Sequence, residues 1–455
     1  MIECRDLCYS FSGTDRKAVL ADLTLTWRDS EYQVIYGDNG SGKSTLGLCL
    51  AGVLTPEAGG IELDGRPIRS NLEPDRPFPD LGLVFQNPDD GFFADTVERD
   101  VAFNLENLGR PPDYIAARVT EVLAELGISH LAPRALSTLS AGEKKLVALA
   151  GALASNPRFL ILDEPTSLLD PHWSRMVHSL LKKLNAGGLA VMVLTCDPAE
   201  LGEGESFYRL EGGVLRSGVE VGARLIIESP PPRPSADNPD PDHTILRVEE
   251  LSLDRPDVEA KPLNFSLSRG EIVGLVGPNG TGKTGLLLVL AGLSPPDGGR
   301  VTFCEGDPPP GYIGLAFQDP EDSLFARTVA EELELALTGS AGVTANSAKG
   351  ETVDSALEAV GLSPDDYLGR SPWTLSPGEG RRVVLAAMIV GGAELLLLDD
   401  PASSLDPAGR AALGRSLRRL ADEGRAVVLT SCRPAAAGEL CDRLVFMGGE
   451  GELSE

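Results

Sequence analysis

Short runs of apolar residues recur along the chain and mark its predicted strands and helices. Tyr32–Tyr36 and Ile272–Val276 are typical of strands buried on both faces. After a glycine-rich stretch, each is followed by an apolar run that predicts a helix, at Leu46–Leu54 and Leu286–Leu293. In each half, β-rich stretches come first, a helix-rich middle follows, and strands alternate with helices toward the end. This order predicts an α/β layered domain with a substantially parallel sheet.

The longest apolar stretch, Val383–Leu398, is interrupted by Gly391, Gly392 and Glu394. It therefore predicts a helix end, a turn and a buried strand, and not a membrane span. The first ten residues, MIECRDLCYS, carry acids and no long apolar core, so no signal peptide is expected.

The two halves are an internal duplication. Four residue pairs share a spacing of 236: Ser140 with Ser376, Asp163 with Asp399, Asp170 with Asp406, and Cys196 with Cys432. Between the halves, residues 228–243 carry six prolines with acids and no apolar periodicity, which is typical of a semi-extended linker. We predict one domain at 1–227 and a second at 244–455.

The net charge of −28, from 40 basic and 68 acidic residues, limits the partners. Such a surface repels nucleic-acid phosphates and anionic lipid headgroups, so neither nucleic acid nor direct lipid insertion is expected. The alternative is that the acidity only aids solubility. Seven cysteines without a C-x-x-C pair predict free thiols in a reducing compartment, the cytoplasm.

Two glycine-rich strings, GDNGSGKST and GPNGTGKTG, carry the phosphate-loop pattern Gly-x-x-x-x-Gly-Lys-Ser/Thr between a strand and a helix. Their backbone N–H groups curl around phosphates, the lysine reaches the β- and γ-phosphates, and the hydroxyl ligates Mg²⁺. The helix dipole adds to the attraction for anions. The predicted nucleotide-binding residues are Gly37, Asn39, Gly40, Gly42, Lys43, Ser44 and Thr45 in the first half, and Gly277, Asn279, Gly280, Gly282, Lys283 and Thr284 in the second.

Two acid pairs end apolar runs, at FLILDE (Phe159–Glu164) and LLLLDD (Leu395–Asp400). A buried strand delivers such carboxylates to the sheet edge where nucleotides bind. Asp163 and Asp399 are predicted to hold Mg²⁺, and Glu164 to orient or deprotonate the attacking water. A strand that merely ends in a solvated acidic turn is the alternative.

Twenty-three residues before each acid pair stand LSAGE (Leu139–Glu143) and LSPGE (Leu375–Glu379). A serine and a glycine at a helix start form an anion site, or simply a helix N-cap. With the phosphate loop, glutamine, acid pair and S-x-L-D-like turn in the same order, the chain resembles the ATP-binding-cassette ATPases, whose signature is LSGGQ. The resemblance implies two tandem P-loop domains, each with an α/β core, a β-rich N-terminal subdomain and a helical signature subdomain.

The resemblance further implies a head-to-tail pair in which each Mg²⁺–ATP lies between one domain's phosphate loop and the other domain's signature. Site one would combine Lys43, Ser44, Gln86, Asp163 and Glu164 with Ser376 and Gly378. Site two would combine Lys283, Thr284, Gln318, Asp399 and Asp400 with Ser140 and Gly142. Gln86 and Gln318 would serve both the metal and catalysis. Phe11 would stack on adenine.

The glutamine segments QNPDDGFFADTV and QDPEDSLFARTV agree at seven of twelve positions. This run is similar to that of energy-coupling-factor transporter ATPases, which import vitamins and transition metals. It implies two partners, a membrane-embedded coupling protein and a small substrate-binding membrane protein, with the chain at the cytoplasmic face of the membrane. Phe92, Phe93, Leu324 and Phe325 would be exposed docking residues, unless they form core of the helical subdomain.

The chain departs from the family pattern at Gly91 and Ser323, where that transporter group has a second glutamine, and at four positions of the nucleotide sites. Cys196 and Cys432 stand where the family has a histidine that reaches the γ-phosphate. Asp400, whose side chain is shorter, stands where the family has a glutamate. Arg255 stands at the position in the second half that matches Phe11 in the first. A misplacement of roughly 1 Å can cost about 10²-fold in rate. We therefore predict that site one hydrolyses ATP, whereas site two binds it and turns over slowly.

A soluble tandem-cassette ATPase that acts on ribosomes is the alternative function. Proteins of that kind need cationic surface near RNA. The acidic linker and the net charge of −28 oppose this alternative.

Overall fold

The computed structural model describes residues 1–11, 18–68, 80–196, 206–217, 243–253, 262–339, 352–403 and 405–447. The chain divides into two compact units, Met1–Leu225 and Ile226–Glu455. Apart from His243, the predicted linker lies outside the described residues, as does Arg255. Among the helices that are described, none is long and apolar enough to cross a membrane.

The first unit opens with strands and then alternates helices with strands. Its strands are β1 (Ile2–Tyr9), β2 (Leu20–Trp27), β3 (Tyr32–Tyr36), β4 (Ala58–Leu63), β5 (Arg66–Pro67), β6 (Leu81–Val84), β7 (Phe159–Asp163), β8 (Ala190–Thr195), β9 (Ser206–Glu211) and β10 (Val214–Ser217). Its helices are α1 (Lys43–Leu50), α2 (Val97–Asn107), α3 (Pro112–Glu125), α4 (Ala141–Ala154) and α5 (Pro171–Ala186).

The second unit repeats this order. Its strands are β11 (Thr244–Ser252), β12 (Leu263–Ser268), β13 (Ile272–Val276), β14 (Gly298–Phe303), β15 (Ile313–Ala316), β16 (Leu395–Leu398), β17 (Ala426–Ser431) and β18 (Arg443–Phe446). Its helices are α6 (Lys283–Leu290), α7 (Val329–Gly339), α8 (Val353–Ala359), α9 (Pro364–Tyr367), α10 (Pro377–Val390), α11 (Pro407–Asp422) and α12 (Pro434–Gly438).

Each unit has one antiparallel sheet and one largely parallel sheet. In the first unit the antiparallel order is β2-β1-β4-β5 and the larger sheet runs β10-β9-β3-β8-β7-β6, parallel throughout except for the β10–β9 pair. In the second unit the orders are β12-β11-β14 and β15-β16-β17-β13-β18, the latter wholly parallel. Two tandem α/β domains with a β-rich opening and a helical middle are thus confirmed.

The parallel sheets place the chemistry-bearing residues at one edge. The central strands β3, β7 and β8 are almost wholly buried between helices and the antiparallel sheet, which explains their unbroken apolar runs. Their carboxyl ends lie side by side, since Tyr36 pairs with Thr195 and Asp163 with Leu194. The phosphate loop, the acid pair and Cys196 follow those ends directly.

Both loop helices are shorter than the apolar pattern predicts. They begin at Lys43 and Lys283 and end at Leu50 and Leu290. Each is followed within two residues by a glycine in the left-handed region, Gly52 and Gly292, both at φ 71°. That conformation stops the helix, and the remaining apolar residues belong to the turn.

Candidate functional site

The first phosphate loop is folded around its lysine. Lys43 Nζ donates to the carbonyls of Gly37 (2.7 Å) and Asp38 (3.1 Å), while its stem is buried. Gly42, before the helix, has φ 101°, which disfavours any other residue. A Cβ on Gly37 would lie 2.5 Å from the Leu210 carbonyl oxygen, so only glycine fits there.

The second loop has the same construction. Lys283 Nζ donates to the carbonyls of Gly277 and Pro278, both at 2.8 Å. Gly282 has φ 96°, and a Cβ on Gly277 would lie 2.5 Å from the Met447 carbonyl oxygen. The remaining predicted loop residues lie in the same two turns and at their helix starts: Asn39, Gly40, Ser44, Thr45, Asn279, Gly280 and Thr284.

Asp163 and Glu164 lie buried beside the first loop. The Lys43 ammonium is 3.9 Å from Glu164 Oε1. Burial raises the pKa of both carboxyls, and Lys43 opposes this for both, with help at Asp163 from the Ser44 hydroxyl that bonds to it. Asp163 Oδ1 has no hydrogen-bond partner. A buried carboxylate oxygen without a partner is costly to the fold and is suited to receiving a ligand.

Asp399 and Asp400 occupy the same place in the second unit, but with different partners. Thr284 Oγ1 and Thr430 Oγ1 each donate to one oxygen of Asp399 at 2.6 Å. Burial raises the pKa of Asp400, while the cations Lys283 and Arg381 lower it. Both acid pairs therefore lie next to a loop lysine. Of these four acids, only Asp163 has a buried oxygen without a hydrogen-bond partner.

Both second acids adopt a backbone conformation that is uncommon for residues with side chains. Glu164 has φ 46° and Asp400 has φ 40°, in the left-handed region. Such strain persists only where the surrounding structure fixes it, and it concentrates at functional sites. Here Glu164 N donates to Leu194 O (2.9 Å) and Asp400 N to Thr430 Oγ1 (2.8 Å), which fixes each turn.

The two cysteines at the predicted histidine positions contact these acids. The Cys196 thiol hydrogen-bonds to the Glu164 carboxyl, and Cys432 Sγ lies 3.9 Å from Asp400 Oδ2. Both cysteines are 4% exposed. No disulfide joins the seven cysteines, all of which lie in described ranges. Each thiol thus fills the end of a buried strand and contacts the acid predicted to act in catalysis.

A buried cation that the sequence reasoning missed connects three parts of the first site. Lys145 on α4 donates to the carbonyls of Gln86 (2.5 Å) and Glu164 (3.2 Å). In the second unit Arg381 on α10 donates to the carbonyl of Gln318 (3.3 Å) and to the carbonyl and hydroxyl of Ser403. The available signal was a basic residue five positions after each signature serine.

The signature serines begin helices α4 and α10 as full capping boxes. Ser140 Oγ accepts from Glu143 N (3.3 Å), and Glu143 Oε2 accepts from Ser140 N (2.8 Å). Ser376 and Glu379 repeat the arrangement at 3.3 and 2.7 Å. Arg134 pairs with Glu143 at 3.0 Å, and Arg370 with Glu379 at 3.3 Å. The N-cap alternative therefore describes the helix start, while both serines stay exposed.

The two signature glycines have different neighbours. A Cβ on Gly142 would lie 2.4 Å from the Trp173 ring, whereas one on Gly378 would meet only the end of Leu405, at 3.3 Å. We expect Gly142→Ala to destabilise the protein by about 1–3 kcal/mol through overpacking. Gly378→Ala should be neutral or slightly stabilising, since alanine favours the helix. Thermal melting measures both, and adding Trp173→Ala should remove the Gly142→Ala penalty.

The predicted docking residues divide into two kinds. Phe93 and Phe325 are 69% and 77% exposed, as expected. Leu324, however, is buried in the core with Val329 and Leu333, so its prediction as an exposed residue is wrong, and Phe92 packs partly against the core of its own unit. Phe92 and Leu324 are extended, and successive side chains of an extended backbone point in opposite directions.

Phe11, the predicted adenine-stacking residue, is 56% exposed and contacts Tyr9 edge-on, with ring centroids 5.2 Å apart. Its ring is therefore available to a base. Gln86 and Gln318 are partly buried at the ends of β6 and β15. Because β6 and β15 run parallel to the strands that end in the acids, both glutamines follow the same edge of their sheet.

The donor set fits a magnesium ion that arrives with a nucleotide. Within the described ranges, no group of three or more His, Cys, Asp or Glu side chains forms a separate metal centre. Mg²⁺ commonly uses one or two carboxylates together with substrate phosphates and water. Ser44 with Asp163, and Thr284 with Asp399, supply one hydroxyl and one carboxylate at each loop, and Asp163 Oδ1 is without a partner.

Known proteins are similar to this chain over most of its length. The chain is 30% identical to Putative HMP/thiamine import ATP-binding protein YkoD of Bacillus subtilis, over 94% of this chain and 86% of that protein. It is 29% identical to Putative ABC transporter ATP-binding protein BL0043 of Bifidobacterium longum, over 97% of this chain but 64% of that protein's length. In a structure of ribosome-bound archaeal Pelota and ABCE1, the match covers 98% of this chain and 76% of that one, with a TM-score of 0.65; at 22% identity it shows the fold alone.

The sequence model of the ABC transporter family matches twice, at residues 20–167 and 260–403. Each match begins before a phosphate loop and ends just after an acid pair. The chain therefore belongs to the ABC transporter family, as an ATP-binding ATPase with two cassettes in one polypeptide.

Proposed function

We propose that this chain is the ATPase subunit of an energy-coupling-factor-type importer, which couples ATP binding and hydrolysis to uptake of a vitamin or a transition-metal ion. The observation that carries the proposal is the exposed aromatic residue after each glutamine, Phe93 and Phe325, on an otherwise strongly acidic protein. The import function in the name of YkoD supports it. The chain lies at the cytoplasmic face of the membrane, held by a coupling protein that works with a substrate-binding membrane protein.

Each cassette binds one ATP at its phosphate loop. Lys43 and Lys283 hold the β- and γ-phosphates, Phe11 stacks on adenine at site one, and the exposed signature serines Ser140 and Ser376 are further phosphate-binding groups. Bound Mg²⁺, held at Ser44 and Asp163 or at Thr284 and Asp399, would neutralise phosphate charge. Glu164 orients the attacking water, with its carboxyl beside Lys43 and its backbone carbonyl bonded by Lys145. Site two mainly holds its nucleotide.

Both docking aromatics are fixed by a buried acid of the following helix. Asp100 Oδ1 accepts from the backbone of Phe93 (2.7 Å) and Ala94 (3.1 Å). Glu332 Oε2 accepts from the backbone of Phe325 and Ala326, both at 2.7 Å. Phe93 also stacks on Phe103, with centroids 4.7 Å apart. Rigid exposed aromatics on a rigid support are the usual anchors of a protein interface.

Replacing both Phe93 and Phe325 with Asp is expected to lower the fraction of the chain that sediments with membranes at least about tenfold, because each change removes an apolar anchor. ATP hydrolysis by the variant purified away from membranes should persist, since neither ring lies in the nucleotide site. Leu293→Asp is the matched control, because that leucine is also 69% exposed but follows α6. Unchanged membrane association in the double variant would reject the docking site.

A ribosomal role is the competing function, and the same fractionation separates the two. Cosedimentation with ribosomes in place of membranes would overturn the importer proposal. The net charge of −28 opposes this outcome, since binding to RNA needs clustered cations.

A further inference from the structure

One hydroxyl in the second cassette holds both acids at once. Thr430, at the end of β17 and fully buried, donates through Oγ1 to Asp399 Oδ1 (2.6 Å) and accepts from the backbone N–H of Asp400 (2.8 Å). Thr284 bonds the second oxygen of Asp399 at 2.6 Å. The Asp399 carboxylate is therefore oriented at both oxygens by groups on two different elements.

The matching position of the first cassette carries no hydroxyl. Leu194 stands two residues before Cys196, as Thr430 stands two before Cys432. Its apolar side chain donates nothing, and Asp163 Oδ1 has no hydrogen-bond partner. Glu164 N instead donates to the Leu194 backbone carbonyl at 2.9 Å. The two sites thus differ in whether a hydroxyl holds one oxygen of the first acid, as Ser44 does for Asp163, or both oxygens, as for Asp399.

We propose that Thr430 is a positioning residue that makes the second site the tighter of the two for a divalent cation bound with nucleotide. The hydrogen-bond partners of a ligating carboxylate orient it, and their loss typically costs about 10–100-fold in metal affinity. A carboxylate that is already oriented also avoids the ordering cost on binding. The inference rests on the magnesium–nucleotide binding proposed above and is independent of the membrane partners.

The test measures metal binding directly, with Mn²⁺ and a non-hydrolysable ATP analogue followed by electron paramagnetic resonance. In a Lys43→Ala background, which weakens site one, Thr430→Val should raise the Mn²⁺ concentration for half-saturation of site two by about tenfold. Thr430→Ser keeps the hydroxyl and should stay close to the parent protein. Equal melting temperatures of the Val and Ser variants without nucleotide exclude a folding defect as the cause.

The reciprocal change tests the same idea in the first cassette. In a Lys283→Ala background, Leu194→Thr should lower the Mn²⁺ concentration for half-saturation of site one several-fold, and Leu194→Val should leave it unchanged. Equal Mn²⁺ affinity of the Thr430→Val and Thr430→Ser variants would overturn the role of Thr430. Nucleotide binding at site two that needs no metal in the parent protein would instead overturn the proposed metal site itself.

Discussion

Replacing Glu164 by Gln is expected to lower the single-turnover rate of ATP hydrolysis by about 10²–10³-fold, as for loss of a general base. Burial raises the pKa of Glu164 from its ordinary value toward the working pH, which is where a base is most effective. Asp400→Asn should change the rate by less than about threefold, since the shorter side chain already leaves its carboxylate roughly 1 Å from a productive position. Phosphate release from a single turnover measures both.

Nucleotide binding is the control for this pair, and both variants should retain it. The two acids share burial, a positive φ and a nearby loop lysine, so the comparison isolates side-chain length and surroundings. Similar losses in the two variants would show that the sites are equivalent and would end the proposed asymmetry. A hydrolysis rate in the unmodified protein equal to that of cassettes with a histidine would show that Cys196 is no handicap.

Lys145→Met should have the second-largest effect, a loss of about 10² in hydrolysis rate through misplacement of Glu164 and Gln86. Lys145 is 5% exposed and its ammonium bonds backbone carbonyls of both residues. Without it these buried carbonyls lose their donor, at about 1–3 kcal/mol each. Thermal melting and steady-state phosphate release measure the two consequences.

The neighbouring lysine gives a matched control. Lys144 pairs with Asp89 at 2.7 Å on the surface, where the Asp89 side chain is 55% exposed. Such a pair contributes at most about 1 kcal/mol, so Lys144→Met should leave the rate and the melting temperature nearly unchanged. Lys145→Arg should retain much of the activity that Lys145→Met loses, because Arg381 makes analogous contacts in the second cassette. Equal behaviour of Lys144→Met and Lys145→Met would refute this role.

The fold class was predictable from the sequence because its signals are local. A strand, a glycine-rich turn and a helix follow one another within a few residues, and the acid pair ends its own strand. Helix ends were less predictable, since the apolar pattern continues through the turn after Leu50 and only the conformation of Gly52 stops the helix. The sheet edge then follows from parallel pairing.

The contacts within the site were not predictable, because they join residues far apart in the chain. Lys145 and Thr430 are ordinary residues of a helix and a strand until the fold brings them beside the acids. Leu324 and Phe325 are adjacent and similarly apolar, yet only the extended backbone decides which of them enters the core. Position in the sequence alone does not contain that information.

The buried acids behind the docking aromatics have a mechanical consequence. Because Asp100 and Glu332 already bond the backbone at Phe93 and Phe325, these loops need no ordering when a partner arrives. A stiff connection loses little work to its own deformation, so a small displacement of α2 or α7 would reach the partner almost undiminished. In the proposed importer, Asp100 and Glu332 would help each cassette to transmit a nucleotide-driven displacement to the membrane partner.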